Sequence, residues 1–277
     1  MKIAVTGGTG FIGNYVVQSL LNDGHDVLVT GYKSIEGESY PWFTKVQFFE
    51  LDIENIENDL VLKQIASCDK LIHLIWTGLP NYNDLFHFEQ NLIPQYFFLK
   101  RLVDLGMNDI AITGTCFEYG MRQGGLSTDM TTEPKNPYAL AKDTLRKFLT
   151  LMQTKMDFKL KWIRLFYMYG DGQSKHSILS QLDRALDAED KIFNMSGGEQ
   201  LRDYLPVEQV AKRIIEISCE EEESGVFNCA SNVPISIRTL VENHLAKKNK
   251  KIELNLGHYP YPEFEPMAFW GKEIGDE

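Results

Sequence analysis

In Pro137-Tyr138-Ala139-Leu140-Ala141-Lys142 a phenol and an ammonium stand four residues apart, the spacing that puts two side chains one turn apart on one helix face. Such a pair suits proton transfer. A phenol titrates near ~10 in water. A neighbouring ammonium favours the phenolate, so Lys142 is expected to lower Tyr138 toward the range of a general acid or base. Reduction of a carbonyl needs such a donor beside the oxygen that takes up charge. A hydroxyl to hold that oxygen is available in Ala111-Ile112-Thr113-Gly114-Thr115. Thr115 is the expected group, with Thr113 the competitor that strand alternation turns inward.

The same chemistry needs a hydride carrier, and the run Lys2-Ile3-Ala4-Val5 leads into a turn that could hold one, Thr6-Gly7-Gly8-Thr9-Gly10-Phe11-Ile12-Gly13. Gly8, Gly10 and Gly13 fit G-x-G-x-x-G, while Gly7, Gly10 and Gly13 fit the variant with two residues between each pair. Glycines let the main chain approach a pyrophosphate, and the helix that follows presents free amides and a partial positive charge. Gly7, Gly10, Phe11, Ile12 and Gly13 are therefore the expected coenzyme contacts. An acidic residue about 20 positions beyond the glycines would bind the ribose diol of NAD. Here the second strand ends Thr30-Gly31-Tyr32-Lys33-Ser34, with no carboxylate before Glu36. Lys33 and Ser34 could hold a 2′-phosphate, so NADP is expected, with NAD as the alternative.

These groups need a frame. Strand-type runs recur at Asp26–Thr30, Val46–Phe49, Lys70–Ile75, Asp109–Thr113 and Trp162–Phe166, most of them separated by helical periodicity. That alternation predicts an α/β fold, a Rossmann-type doubly wound parallel sheet. Ile12, Val16, Val17, Leu20 and Leu21 form the apolar side of the first helix, which stops at Asp23-Gly24. Ala141, Leu145, Phe148, Leu149 and Met152 do the same behind Tyr138. His73, inside the apolar run 71–75, reads as a hydrogen-bonded core residue. From about Gly170 the pattern breaks into Gly- and Pro-rich turns and an aromatic tail, Tyr259 to Pro266. Residues 1–169 are expected to form the dinucleotide-binding domain, also receiving parts of about 203–230. Residues 170–277 would mainly form a smaller substrate-binding lobe.

With 28 basic and 39 acidic residues, the net charge of −11 disfavours nucleic acid or an anionic membrane as a partner. Cys68, Cys116, Cys219 and Cys229 show no C-x-x-C spacing, so neither a metal site nor a disulfide framework is expected. No signal peptide precedes the first strand, and no apolar run approaches the roughly 20 residues that span a bilayer. A cytoplasmic location follows as the expectation. The runs Glu220–Glu223 and Lys247–Lys251 read as solvated surface.

Together these pieces resemble the extended short-chain dehydrogenase/reductase superfamily, in its nucleotide-sugar epimerase, dehydratase and reductase branch. The resemblance spans most of the chain. Leu51-Asp52-Ile53 is similar to the family's adenine-contacting segment and His73-Leu74-Ile75-Trp76 to its H-L-A-A strand. This implies coenzyme contacts at Asp52, Ile53 and Leu74, and a substrate contact at Thr77. Asn91 resembles a helix asparagine that orders active-site water. Thr115-Cys116-Phe117-Glu118-Tyr119-Gly120 is similar to the catalytic Ser/Thr followed by Tyr-Gly, which favours Thr115 over Thr113. Arg164 to Gly170 resembles R-x-x-N-x-Y-G, and Arg202 to Val207 resembles R-D-F-I-x-V. By that likeness Arg202 grips the diphosphate of a nucleotide sugar, a task suited to a planar, permanently charged fork. Phe117 and Tyr167 would line the same substrate site, and the family's helix pairs imply a homodimer.

Departures narrow the reaction. Where dehydratases of the branch carry Asp-Glu after the catalytic threonine, this chain has Cys116 and Phe117, so dehydration is disfavoured. Tyr167 replaces a common asparagine. The tail resembles those of reductases acting on 4-keto-6-deoxysugars linked to thymidine diphosphate. The expected function is an NADP-dependent reductase that delivers hydride to the C4 ketone of a nucleoside-diphosphate 6-deoxysugar. An NAD-dependent 4-epimerase and a non-catalytic NADP sensor are the alternatives.

Overall fold

Apolar strand runs alternate with helical ones through the first two thirds of the chain, and they fold into a layered α/β unit. The computed structural model describes residues 1–33, 39–56, 59–263 and 265–272. Ser34 and Glu36 of the coenzyme argument, and Phe264 of the tail, lie outside the described residues. The first elements are β1 (Lys2–Thr6), α1 (Phe11–Asn22), β2 (Asp26–Gly31), β3 (Gln47–Glu50), α2 (Asp59–Ala66) and β4 (Lys70–His73). They are followed by α3 (Leu92–Asp104), β5 (Asp109–Thr115), β6 (Gly124–Leu126), α4 (Pro137–Met152) and β7 (Lys159–Leu165). Then come β8 (Tyr167–Tyr169), α5 (Ile178–Asp187), β9 (Ile192–Asn194), β10 (Leu201–Pro206) and α6 (Val207–Glu220). The last are β11 (Gly225–Cys229), β12 (Pro234–Ser236), α7 (Ile237–Lys248), β13 (Glu253–Asn255) and β14 (Phe269–Gly271).

Among the described residues a seven-stranded sheet has the order β11-β7-β5-β4-β1-β2-β3, with every neighbouring pair parallel. Strand order reverses between β1 and β4, which opens a crevice at their carboxyl ends, where open α/β sheets hold their ligands. One face is covered by a core that joins Leu62, Leu99, Leu145 and Trp162, and the other by a core of Val16, Leu20, Val210 and Ile214. Three smaller sheets, β12-β10-β8, β13-β9 and β14-β6, stand apart from it, and α5 and α7 share a separate core with β9. No helix among the described residues is long and apolar enough to cross a membrane.

The strands differ from their expected limits at the sheet's two ends. At the carboxyl edge β4 stops at His73 rather than Ile75, although Leu74 N still donates to the Thr6 carbonyl at 3.0 Å. At the opposite end β7 starts at Lys159 rather than Trp162. The charge that obscured it, Lys161, is fully buried and donates to both oxygens of Asp109 (2.8 and 3.0 Å) and to the Ser218 carbonyl (3.0 Å). Lys70 donates to the same carboxylate at 2.7 Å. Phe148, expected in the core face of α4, is instead partly exposed and meets Tyr96 at 5.7 Å.

His73 lies in the core, with Nδ1 2.7 Å from Thr6 Oγ1 and Nε2 2.6 Å from Gln95 Oε1. Burial pulls its pKa down to about 3, so the ring is neutral. Asp109 is the critical counter-charge at the other end of the sheet. Removing one partner of a buried ion pair costs about 3–5 kcal/mol. Asp109→Ala is expected to lose stability on that scale, read as a fall in the urea midpoint, whereas the exposed pair partner Glu222→Ala should move it little.

Candidate functional site

The glycine turn resolves the choice between its two spacings. Gly7 has φ +78°, and its carbonyl accepts from Gly10 N at 3.0 Å. A Cβ on Gly13 would lie 2.1 Å from that same carbonyl, so only glycine lets α1 start this close to β1. Gly8 faces the sheet, where a Cβ would strike Val29 at 2.3 Å. Gly7, Gly10 and Gly13 therefore shape the cradle, and Gly8 is a packing glycine. The first amides of α1, at Phe11 and Ile12, have no acceptor within the helix and suit a pyrophosphate. This cradle fits a dinucleotide.

Around the cradle, Leu74 extends the β4 register through Leu74 N to Thr6 O (3.0 Å), and Ile53 packs against the core. Both Asp52 carboxylate oxygens bond locally, to Glu54 N (2.9 Å) and Asn55 Nδ2 (3.1 Å), so Asp52 braces its own turn. Lys33 is exposed just after β2, with its ammonium 5.7 Å from the Tyr32 ring centroid.

Thr115 ends β5 at the crevice, and what holds it there is Glu118. The Thr115 amide donates to Glu118 Oε1 at 2.9 Å while the Thr115 hydroxyl accepts from Phe117 N at 3.3 Å, a reciprocal cap on the single turn that follows. Glu118 is completely buried. Its carboxylate also accepts from Trp162 Nε1 (3.0 Å) and Arg164 Nε (2.7 Å), both on β7. Sequence reasoning missed it, although Thr115-x-x-Glu118 is a capping-box pattern.

Asn136 caps α4 by accepting from Ala139 N at 2.9 Å, with Pro137 in the first turn. Tyr138 and Lys142 then face inward together. The Tyr138 phenol lies close enough to the Thr115 side chain for that hydroxyl to pull its pKa down, against burial. Lys142 Nζ donates to the Thr113 carbonyl at 2.7 Å and lies 4.4 Å from the Trp76 ring centroid. Trp76 also meets Tyr138 edge-on at 6.0 Å and donates Nε1–H to His87 Nδ1 at 3.1 Å. Thr113 thus serves Lys142 through its backbone, and Thr115 offers the hydroxyl.

One electrostatic expectation is corrected here. Lys142 does not lower Tyr138. Burial raises the phenol well above its ordinary value, and the nearby Tyr82, Glu118 and Cys116 push the same way, against the Thr115 hydroxyl. Burial also lowers Lys142 to about 7, with Glu118 opposing. In this dry pocket desolvation outweighs the Tyr–Lys attraction.

Of the four expected substrate contacts, Tyr167 and Arg202 line a cavity of about 550 Å³, together with Tyr82, Phe193, Gln200 and Glu265 among others. Phe117 does not line it and instead packs edge-on against Tyr82, their ring centroids 5.2 Å apart. Thr77 does not line it. Its hydroxyl donates to Asn91 Oδ1 (2.7 Å) and its carbonyl accepts from Asn91 Nδ2 (3.0 Å), so Asn91 pins this loop. Arg202 is buried and paired with Glu265 at 2.8 Å, a partner the sequence did not announce. Burial pushes the Cys116 thiol up, which keeps it protonated and inert where a dehydratase would need an acid.

Residues 3–230 match the model of the NAD dependent epimerase/dehydratase family. The chain is 32% identical over 277 residues to a dTDP-6-deoxy-L-talose 4-dehydrogenase (NAD(+)) of Aggregatibacter actinomycetemcomitans, covering 98% of this chain and 99% of that protein. It is 24% identical to a UDP-glucose 4-epimerase of Corynebacterium glutamicum, over 87% of this chain and 79% of the relative. Among solved structures, a UDP-glucose-4-epimerase from Stenotrophomonas maltophila with bound NAD and formylated UDP-arabinopyranose superimposes with a TM-score of 0.85 at 17% identity, covering 98% of this chain and 90% of that one. That likeness shows the shared fold.

Glu118→Ala would leave Arg164 buried without its partner and release the Thr115 amide. A loss of about 3–5 kcal/mol is expected in urea unfolding. Glu118→Gln, which retains an acceptor, should lose less.

Proposed function

The chain belongs to the NAD dependent epimerase/dehydratase family, and from that membership we propose that it is an NAD(P)-dependent reductase of a nucleoside-diphosphate 4-keto-6-deoxysugar. The observation that carries this reading is that α4 docks on the end of β5 that bears Thr115, with Lys142 donating to the Thr113 carbonyl at 2.7 Å and the Tyr138 ring centroid 5.5 Å from that of Tyr82, a wall of the 550 Å³ cavity. The full-length similarity to a deoxysugar 4-dehydrogenase supports the same carbon and the same class of sugar. In this assignment residues 1–169 hold the coenzyme and residues 170–277 mainly hold the substrate.

When bound, the nicotinamide coenzyme supplies hydride. The chain's own work is at the oxygen. Thr115 holds the carbonyl oxygen by its hydroxyl, and Tyr138 gives that oxygen its proton as negative charge develops there. A phenol raised by burial is fully protonated at neutral pH, the form that reduction requires. Lys142, anchored on the Thr113 carbonyl, supplies a nearby positive charge whenever it is protonated. Arg202 and the aromatic wall of Tyr82 and Tyr167 hold the nucleotide portion.

NADP is the proposed coenzyme on the strength of Lys33, an exposed cation just after β2. NAD is the alternative, since the Aggregatibacter relative is named for NAD(+). The 4-epimerases among the relatives support a second reading in which the same groups oxidise and re-reduce one carbon. The unpaired Cys68, Cys116, Cys219 and Cys229 suit a reducing cytoplasm. A homodimer is proposed through α3 and α4, whose outer faces leave Ile93, Phe97, Leu140 and Leu151 exposed by 46, 59, 47 and 67%.

Purified protein given a dTDP-4-keto-6-deoxysugar should oxidise NADPH faster than NADH, and Lys33→Ala should raise the KM for NADPH alone. Tyr138→Phe should cut kcat by the roughly 10²–10⁴ expected of lost acid catalysis. Full turnover in that variant would refute the assignment, and sugar interconversion without net coenzyme oxidation would favour the epimerase. In light scattering the protein should run at twice the 31.8 kDa chain mass. Phe97→Asp combined with Leu151→Asp should return it to one chain.

A further inference from the structure

Arg202 is held by a carboxylate of the chain's own tail. Its side chain is 2% exposed, Nη2 donates to Glu265 Oε2 at 2.8 Å, and Nη1 donates to the carbonyls of Leu201 (2.9 Å) and Met267 (3.2 Å). The guanidinium carbon lies 4.4 Å from the Phe269 ring centroid and 5.7 Å from that of Tyr167. Two aromatic rings and two carbonyls fix the fork's position, leaving the Glu265 contact as its only ionic partner among the described residues.

Glu265 is brought to this place by its neighbours. Leu201 N donates to Met267 O and Gly124 N to Ala268 O, each at 2.9 Å, so the backbone two and three residues on is tied to both β10 and β6. The side chain is 14% exposed and lines the same cavity as Arg202. Burial is the main cause that raises the phenols of Tyr82, Tyr167 and Tyr204, and the Glu265 charge adds to it at each. The carboxylate therefore points into the volume that a nucleotide's diphosphate would enter.

We propose that Glu265 is an internal competitor for the substrate's diphosphate, holding the Nη2 edge of Arg202 until a phosphate displaces it, and so sets how tightly the enzyme binds nucleotide diphosphates. This rests on the reading of Arg202 as the diphosphate contact. Two anions cannot share one edge of a guanidinium in a partly buried site, because each loses its solvation there and repels the other. The tail's backbone pairing holds the carboxylate near Arg202 at all times, which gives it a high effective concentration. Binding must then be measured against a closed state. If the Glu265 side chain leaves Arg202 about one tenth of the time, the observed affinity is weaker about tenfold than the intrinsic one.

The test is calorimetric titration of dTDP, with UDP as a parallel arm, into the full chain and its variants. Glu265→Gln keeps the shape and a neutral acceptor but removes the competing charge, and it should tighten dTDP binding by about tenfold. Glu265→Asp withdraws the carboxylate by one methylene and should tighten binding by a smaller factor, which decides the matter if the glutamine variant does not fold. Arg202→Ala should lose most of the affinity. The double variant should then bind no better than Arg202→Ala alone, since removal of the competitor matters only while Arg202 is present. Unchanged or weaker dTDP binding in folded Glu265→Gln and Glu265→Asp would overturn the proposal while leaving Arg202 as a diphosphate contact. Equal dTDP affinity in Arg202→Ala and the unaltered chain would overturn both. Binding of neither nucleotide by any form would likewise overturn the proposal together with the nucleotide-sugar reading.

Discussion

A single buried carboxylate ties the reacting end of the sheet together. Glu118 has no water around it, so each of its oxygens must be met by a protein donor, and those donors come from the Thr115 amide, the Trp162 indole and the Arg164 guanidinium. Satisfying it forces the end of β5 and the middle of β7 into one arrangement. Thr115 is thereby held at the end of β5, on the side where Lys142 of α4 donates to the Thr113 carbonyl at 2.7 Å. Gly114 belongs to the same constraint, since a Cβ there would lie 2.5 Å from Glu118 Oε1 and 2.2 Å from the Trp162 indole nitrogen.

Desolvation then shapes the chemistry of everything near it. Tyr138, Lys142, His73 and Cys116 all shift toward their neutral forms, because burial penalises charge more than the available partners restore it. Lys142 illustrates the balance. A carbonyl at 2.7 Å and the face of Trp76 at 4.4 Å replace its lost water, and its pKa falls to about 7. Aromatic side chains supply the walls of this space, from Trp76 and Tyr82 on the β4 side to Tyr167, Tyr204 and Phe269 toward the tail. The permanent charge left in the cavity belongs to Arg202, and even that is matched by Glu265.

The large sheet and the short strand pairs differ in stiffness according to their architecture. Parallel strands buried on both faces give a stiff platform whose carboxyl ends carry the cradle, Trp76 and Thr115. The short strand pairs carry Arg202 on β10 and bring the tail alongside it through β14. A segment held by a few backbone bonds is easier to rearrange than the sheet, which is where an exchangeable contact such as Glu265 belongs.

Much of this protein could be read along the chain. The glycine turn, the alternation of strands and helices, and the Tyr138–Lys142 spacing all depend on residues close in sequence, whose geometry is set by local backbone rules. Strand alternation does not separate Thr115 from Thr113, since residues two apart in β5 share a face, and the preference for Thr115 rests on the family likeness of the segment from Thr115 to Gly120. What the sequence could not decide were interactions between residues far apart in the chain: Glu118 with Arg164, Lys161 with Asp109, Lys142 with Trp76, and Arg202 with Glu265. The direction of the Tyr138 shift was misjudged because an ammonium four residues away is visible in a sequence, whereas the depth of burial is a property of the whole packed structure. Local spacing determines which groups can meet, and only tertiary packing decides how much water remains between them and therefore which charges survive.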